Sequence, residues 1–574
     1  MSDFISPFIL ACATFDFNSQ DSVLSLTTLL ESATAELGQS KTQRYTIRVH
    51  RLITADAYGF RERLGENEAL WTELRKLWRD LSRVHLTFWE NDDSDEETER
   101  EMEGKKQHGL KLLSASLARF TRNLVAGVQA NQMRAYENEP ALRRLIHYYT
   151  SWSFMEDKEA TLVARILAQA LSNIVTSNDI LVAKLWNTYM NLPDDQVVII
   201  RLLSSPDPRT LLAALILILN CIEGSRTRVK ILTRSASGVK ICISLLDNMV
   251  RLYDAEDATE GARAFDIGYE IFSRIMTMDL APSLFSRMSM ADEIITPHQT
   301  TLLKLIDSYL QTARSSPTPT TPQGTPIYAK LERMLSKTFF SLSSYAQSSI
   351  QNSLQPSKPD PAASITSPNV TRAAFEPPSS LDVMLPKVSE GLVLVTQCIV
   401  TITLESLEID AGLGQNSQEF FNEARWADQG IIEYLIELLR LLDLFLPRIN
   451  FGKPVSADGR AVLPTHTQSP DVGDERDSTG FSYLKRDLVR LLGILCHGSK
   501  AVQDRARLCG GIEVVMNLCV IDERNPYLRE HAIFALHNLL EDNPENQAVV
   551  EAIKPTGSWD DSGVLRDTPG AVRR

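Results

Sequence analysis

His531 and His537 are the first side chains to weigh for chemistry, because an imidazole can ligate zinc or move a proton. They sit six apart in one helical stretch and so point to different faces of it, while His497 lies just past the preceding helix. Zinc ligands need convergent spacing, so surface or inter-repeat packing is the expected role of all three. Cys496 stands beside His497, but adjacency in the chain does not make a nucleophile and base pair. The acidic run Asp92, Asp93, Asp95, Glu96, Glu97, Glu99 and Glu101 lacks the central glycine and ligand order of a calcium loop, and reads as a solvated linker. Glycine-rich phosphate loops are missing too, since Gly412 to Gly414 gives only an isolated GxG. No catalytic residue, no metal ligand and no cofactor-binding residue is nominated, and no enzymatic activity is expected.

A different chemistry is available at serines and threonines followed by proline. Ser316, Thr318, Thr321, Thr325, Ser367 and Ser469 all have this form and are candidate phosphorylation sites. Each phosphate would add roughly 1.5 to 2 negative charges, and the expectation is that this tunes access of a partner.

The chain has 574 residues and a formal net charge of -14, which argues against a protein that must neutralise a phosphate backbone, so nucleic acid is not an expected partner. Its seven cysteines form no CxxC pair and lie mostly in apolar helical contexts. They read as reduced core residues in a cytoplasmic protein with a nuclear pool. Ser2-Asp3-Phe4 shows no basic, then apolar, secretory pattern, and neither Ser2 nor Val572-Arg573-Arg574 invites a lipid. The stretches Leu211 to Ile222 and Leu392 to Leu404 fall short of the roughly 18 to 20 residues that cross a bilayer, so both are expected to be buried helices and no membrane insertion is expected.

The elements that would position these residues are helical. Apolar residues recur at helical spacing and period-two runs are scarce, so the class is all-α. Asn91 to Gln107 is acidic, Ser315 to Thr325 and Gln355 to Ser380 are rich in Ser, Thr and Pro, and Phe451 to Ser478 is polar; these read as disordered inserts. Leu488, Leu491, Leu492 and Leu495 mark one helical face, and Ala532, Ala535, Leu536 and Leu539 repeat the register. Gly510 and Gly511 break the chain between the copies, before a second face of Ile512, Val515, Met516 and Cys519. Near the N-terminus the register returns at Leu167, Ala170, Leu171 and Ile174 and again at Ala214, Leu217, Ile218 and Cys221. The period is that of armadillo or HEAT units, roughly 40 to 47 residues, and the expected fold is an armadillo/HEAT-like helical-repeat superhelix with disordered inserts. Ile327 to Leu354, Leu381 to Leu407 and Glu419 to Ile449 are expected to be degenerate middle repeats.

The expected division is an N-terminal helical region over 1–90, an acidic linker over 91–107 and armadillo-like repeats over 108–312. An insert with a short helical segment over 313–380, middle helices over 381–450 and a disordered loop over 451–480 follow. A repeat pair over 481–553 and a disordered tail over 554–574 complete it.

Lys485-Arg486-Asp487-Leu488-Val489-Arg490-Leu491, Gly510-Gly511-Ile512, Asn525-Pro526-Tyr527, His537-Asn538-Leu539 and Glu541-Asp542-Asn543-Pro544-Glu545-Asn546-Gln547 together carry a likeness. The run from Phe481 to about Ile553 resembles the C-terminal domain of the ataxin-10 family, and the long inserts resemble its fungal members. That resemblance implies a cytosolic helical-repeat protein that acts by binding other proteins, with family roles in cytokinesis in simple eukaryotes and in cell survival and process outgrowth in animals.

Peptide-binding armadillo grooves use an asparagine ladder with a tryptophan four residues earlier. Asn173, Asn220 and Asn538 take the asparagine position and are candidate partner-binding residues, each amide having a donor and an acceptor to offer; the rival reading is a bond to the neighbouring repeat. Ile494 holds the fourth place, and Gln169, Ile216 and Phe534 stand where tryptophan would. The expected function is a protein-interaction scaffold regulating cell division, with self-association open to it through exposed end repeats. The alternative is a transport or import adaptor carrying a basic cargo.

Overall fold

Leu167, Ala170, Leu171 and Ile174 are fully buried along one face of a helix, and so are Leu488, Leu491, Leu492 and Leu495 in the C-terminal copy. The computed structural model describes residues 2–38, 55–84, 97–154, 156–314, 328–354, 382–409, 416–446, 448–450, 453–455, 481–553, 557–559 and 565–567. It divides into two compact units, Met1–Arg287 and Met288–Arg574.

Unit 1 opens with α1 (Ser2–Ala13), α2 (Gln20–Gly38) and α3 (Ala55–Gly65). Triplets then repeat: α4 (Glu68–Val84), α5 (Glu97–Val125) and α6 (Gln129–Ala135); α7 (Glu139–Tyr149), α8 (Lys158–Val175) and α9 (Asp179–Met190). They continue with α10 (Val198–Leu203), α11 (Pro208–Ile222) and α12 (Arg226–Arg234), then α13 (Ala236–Leu252), α14 (Glu260–Thr277) and α15 (Ala281–Arg287). The first helices of the triplets pack on one another in series, and the middle helices α2, α5, α8, α11 and α14 form a second series. This three-helix stacking is armadillo-like, because each middle helix buries its apolar face only when the next repeat covers it. Sharp starts come from side-chain caps: Asp157 accepts from the Glu159 and Ala160 N–H groups, and Asp207 from that of Thr210.

Unit 2 contains α16 (Pro297–Arg314), α17 (Ala329–Leu354), α18 (Leu385–Ile409), α19 (Ser417–Glu423), α20 (Ile431–Phe445) and α21 (Leu484–Cys496). It ends with α22 (Lys500–Leu508), α23 (Gly511–Leu518), α24 (Leu528–Leu540) and α25 (Pro544–Ala552). Here α16, α18, α21 and α24 pack in series as the middle layer, backed by α17, α20 and α23. Among the described residues, strand is confined to two-stranded antiparallel pairs, β1 (Arg425–Trp426) with β2 (Gln429–Gly430), β3 (Arg448–Asn450) with β4 (Lys453–Val455), and β5 (Gly557–Trp559) with β6 (Leu565–Asp567).

Several boundaries differ from those read in the sequence. Helix α5 begins at Glu97, inside the segment expected to be a linker, and acidic residues suit the positive end of a helix dipole. The helices before residue 90 are not a separate region, since α2 packs on α5 as the first member of the middle series. Residue 312 falls within α16, a unit 2 helix held by α18. Leu385–Ser406 of α18 is long and apolar enough to cross a membrane, beyond the Leu392 to Leu404 stretch noted above; with 67% of its apolar window buried among α16, α17 and α21, it is placed as a core helix of the stack.

Candidate interaction surface

The three candidate asparagines each donate a hydrogen bond to the neighbouring repeat. Asn173 Nδ2 donates to the Arg122 carbonyl of α5 at 3.1 Å, and Asn220 Nδ2 donates to Ser172 Oγ and Thr176 Oγ1, both at 2.9 Å. Asn538, 2% exposed, donates to the Gly493 carbonyl of α21 at 2.9 Å. Each amide thus ties its helix to the preceding middle helix, which is the neighbouring-repeat reading. Asn123 belongs with them, its Nδ2 lying 3.5 Å from the Thr34 carbonyl of α2. The signal that would have found it is positional: all four are third from the end of their helices.

A second lock recurs in both units. Gln132 Nε2 donates to the Asn173 and Thr176 carbonyls at 2.9 Å while Asn178 Nδ2 donates to its Oε1 at 3.2 Å. Gln503 repeats this with the Asn538 and Glu541 carbonyls at 2.8 and 3.2 Å, and with Asn543 at 3.1 Å. These bonds satisfy carbonyls that a helix end leaves without an internal partner.

What remains for a partner is the solvent side of the middle helices. Of the residues four before the asparagines, Gln169 receives a hydrogen bond from Arg122, whereas Ile216 and Phe534 are 39% and 49% exposed. The C-terminal face is the richer. Tyr483, just before α21, lies in helical register with Arg486 and Arg490 of α21, and Tyr527, just before α24, with His531 and Phe534 of α24, with Ile533 exposed beside them. The Arg486 guanidinium lies 4.4 Å from the centre of the Tyr483 ring, and its Nε donates to Asp487 at 2.7 Å. Burial pushes His531 below the ordinary histidine range, reinforced by Arg490 and Arg486. Sequence reasoning missed the Tyr483 and Tyr527 pair, although their equal places one residue before α21 and α24 were readable.

The remaining candidates give no convergent chemistry. His497 faces Glu541 at 3.8 Å, and buried Cys496 has its thiol pushed up to about 12. Cys509 and Cys519 are half-buried; the other cysteines are buried, and all are free. Among the described residues no group of three or more His, Cys, Asp or Glu side chains could hold a metal ion. Ser316, Thr318, Thr321, Thr325, Ser367 and Ser469 lie outside the described residues.

A protein-family model described as the spinocerebellar ataxia type 10 protein domain matches residues 484–572. The ataxin-10 homolog of Dictyostelium discoideum is 43% identical over 83 residues, 14% of this chain and 13% of that protein. Ataxin-10 of Xenopus tropicalis is 32% identical over 133 residues, 23% of this chain and 25% of its own. The ataxin-10 homolog of Candida glabrata is 30% identical over 173 residues, covering 27% and 31%. The likeness to the ataxin-10 family drawn from the C-terminal repeat pair is therefore borne out, over well under two thirds of each relative's length. A solved engineered protein aligns over 94% of this chain at 14% identity with a TM-score of 0.28, too distant a likeness to carry an argument.

Proposed function

We propose that this chain, ataxin-10-like over its C-terminal repeats, is a non-enzymatic interaction scaffold that acts in the cytoplasm, with a nuclear pool, and holds proteins that regulate cell division. The observation that carries this reading is the outer face of α24, the last middle helix of unit 2. Its Ala532, Ala535 and Leu539 are buried where it packs on α21 and α23, yet Tyr527, just before it, and Ile533 and Phe534 stay exposed. Aromatic residues left at solvent on a rigid helix are what protein interfaces are built around. The import-adaptor reading draws less support, because the asparagines that would hold an extended cargo backbone are already bonded to the neighbouring repeat. Phosphorylation of the Ser/Thr-Pro sites is proposed as the control on partner access.

The test is affinity purification from dividing cells of the full chain, a version lacking residues 481–574, and the double variant Ile533→Ser/Phe534→Ser. The reading expects a division-related partner that both altered forms lose. Identical partner sets for all three forms would place binding elsewhere, and no stable partner for the full chain would sink the scaffold reading. Phosphosite mapping in the same cells should find Ser316, Thr318, Thr321 or Thr325 modified; unmodified sites through the cycle would remove the proposed control.

A further inference from the structure

Tyr483 and Tyr527 both adopt the left-handed backbone region, at φ 67 and 66. Glycine occupies that region without the steric cost a Cβ brings, so a tyrosine there carries backbone strain. Both tyrosines precede adjacent middle helices, and both rings are exposed. Two equivalent positions keeping the same strained residue point to a role for the aromatic surface.

The same two helices carry basic side chains with no acid of their own. Arg490, one turn beyond Arg486 on α21, is half-buried and has neither an ion pair nor a side-chain hydrogen bond among the described residues. His531 of α24 is also half-buried and unbonded there, and the charged groups about it are Arg486, Asp487 and Arg490 of α21 and Glu530 of its own helix. Both nearby acids are engaged, Asp487 by Arg486 and Gln397, and Glu530 by Arg529 at 3.6 Å. In a chain of net charge -14, an unpaired arginine and a histidine that can gain a proton, on helices that also expose Tyr483, Tyr527 and Phe534, make a local basic site with apolar residues near it.

We propose that this face of unit 2 binds an acidic peptide segment of a partner protein, seating a carboxylate between Arg490 and His531 and an adjacent apolar side chain on Tyr527 and Phe534. Arginine matches a carboxylate through two parallel N–H donors, and the aromatic border supplies the desolvated anchor. The inference rests on the scaffold reading and names the chemistry of the partner at that site.

The probe is a fluorescently labelled peptide alternating glutamate with tryptophan, beside versions with glutamine, lysine or phosphoserine at the glutamates. Binding to the full chain is read by anisotropy, with light scattering on the same samples. The glutamate peptide should bind, and the glutamine and lysine peptides should bind weakly or not at all. Arg490→Gln should weaken the glutamate peptide about tenfold or more. Because His531 takes up a proton as it meets a carboxylate, affinity should rise severalfold between about pH 7.5 and about pH 6, and His531→Ala should abolish that rise. Tyr527→Gly relieves the backbone and should melt no lower than the parent chain while still losing affinity, which separates binding from folding.

Equal binding of glutamate and glutamine peptides, or an unchanged affinity in Arg490→Gln, would overturn the proposal. So would far tighter binding of the phosphoserine peptide, which would make this a phosphate site. A self-associated chain dispersed by Arg490→Gln and by Phe534→Ser, but not by the peptide, would assign the face to a second copy instead. Cellular partners that persist in Arg490→Gln would remove the acidic site and leave the scaffold standing. A bound peptide with no cellular partner would do the reverse.

Discussion

At the scale of single residues, the polar side chains of this protein act mainly on their neighbours. Asn538 is buried and its amide is the partner of the Gly493 carbonyl. Asn538→Ala should therefore cost about 1 to 3 kcal/mol in urea denaturation, since it leaves a buried carbonyl unbonded. It should leave partner binding unchanged, whereas lost binding at unchanged stability would restore the groove-lining role. Glu433 gives a pH-dependent case. Burial opposes its charge, but the bidentate Arg505 contacts at 3.0 and 2.7 Å and the Gly430 N–H at 2.8 Å hold its carboxyl below the ordinary value. A depressed folded value means that the stabilisation is present above the unfolded value and is lost as pH falls through the folded one. Glu433→Gln should thus cost about 1 to 2 kcal/mol at pH 7, and the cost should shrink as pH falls through the depressed folded value of the carboxyl. A cost that did not change with pH would show packing rather than charge. Lys485 was legible as part of a charged run, but not as a buried ammonium bonded to Asp443 at 3.2 Å and the Leu446 carbonyl at 3.0 Å.

Among the elements, α24 shows why a helix can be found and its role missed. Its buried residues follow the expected face, but Leu536 is only half-buried and Ile533 and Phe534 are exposed, so apolar residues occupy two sides. The pattern identifies a helix and leaves open which side faces a neighbour. The close approach of α21 and α24 settles it. A Cβ built on Gly493 would lie 2.9 Å from the Ala535 Cα, so the helices meet backbone to backbone. Gly493→Val should push them apart and cost about 1 to 3 kcal/mol or more, read as a lower melting temperature. Gly224→Ala, at a turn with open space but φ +66, should cost less, through backbone strain alone. If the two variants melted alike, the helix contact would not be the tight one described.

For the molecule as a whole, repeat stacking makes stability a sum of repeats and the interfaces between them. Removing residues 481–574 strips α21 from α18 and α20, uncovering apolar faces that the stack had buried. The shortened chain should lose the cooperative unfolding of unit 2 while unit 1 keeps its own transition, measured by scanning calorimetry. A single transition lost altogether would contradict the division into two compact units. The same consideration makes the point variants on α24, rather than the truncation alone, the decisive forms in the partner experiment.

The sequence by itself determined the all-α class, the armadillo-like period, the buried faces at Leu167 to Ile174 and Leu488 to Leu495, and the likeness of the C-terminal repeats to the ataxin-10 family. These depend on local spacing, which a helix converts directly into a face. Tertiary structure decided where α5 starts, how far α18 runs in the core and which neighbouring groups the Asn173, Asn220 and Asn538 amides bond. It also brought Arg490 of α21 near His531 of α24. Those outcomes depend on what a helix from a different repeat presents at contact distance, and an amide or a cation finds its partner, or lacks one, only when that neighbour is in place.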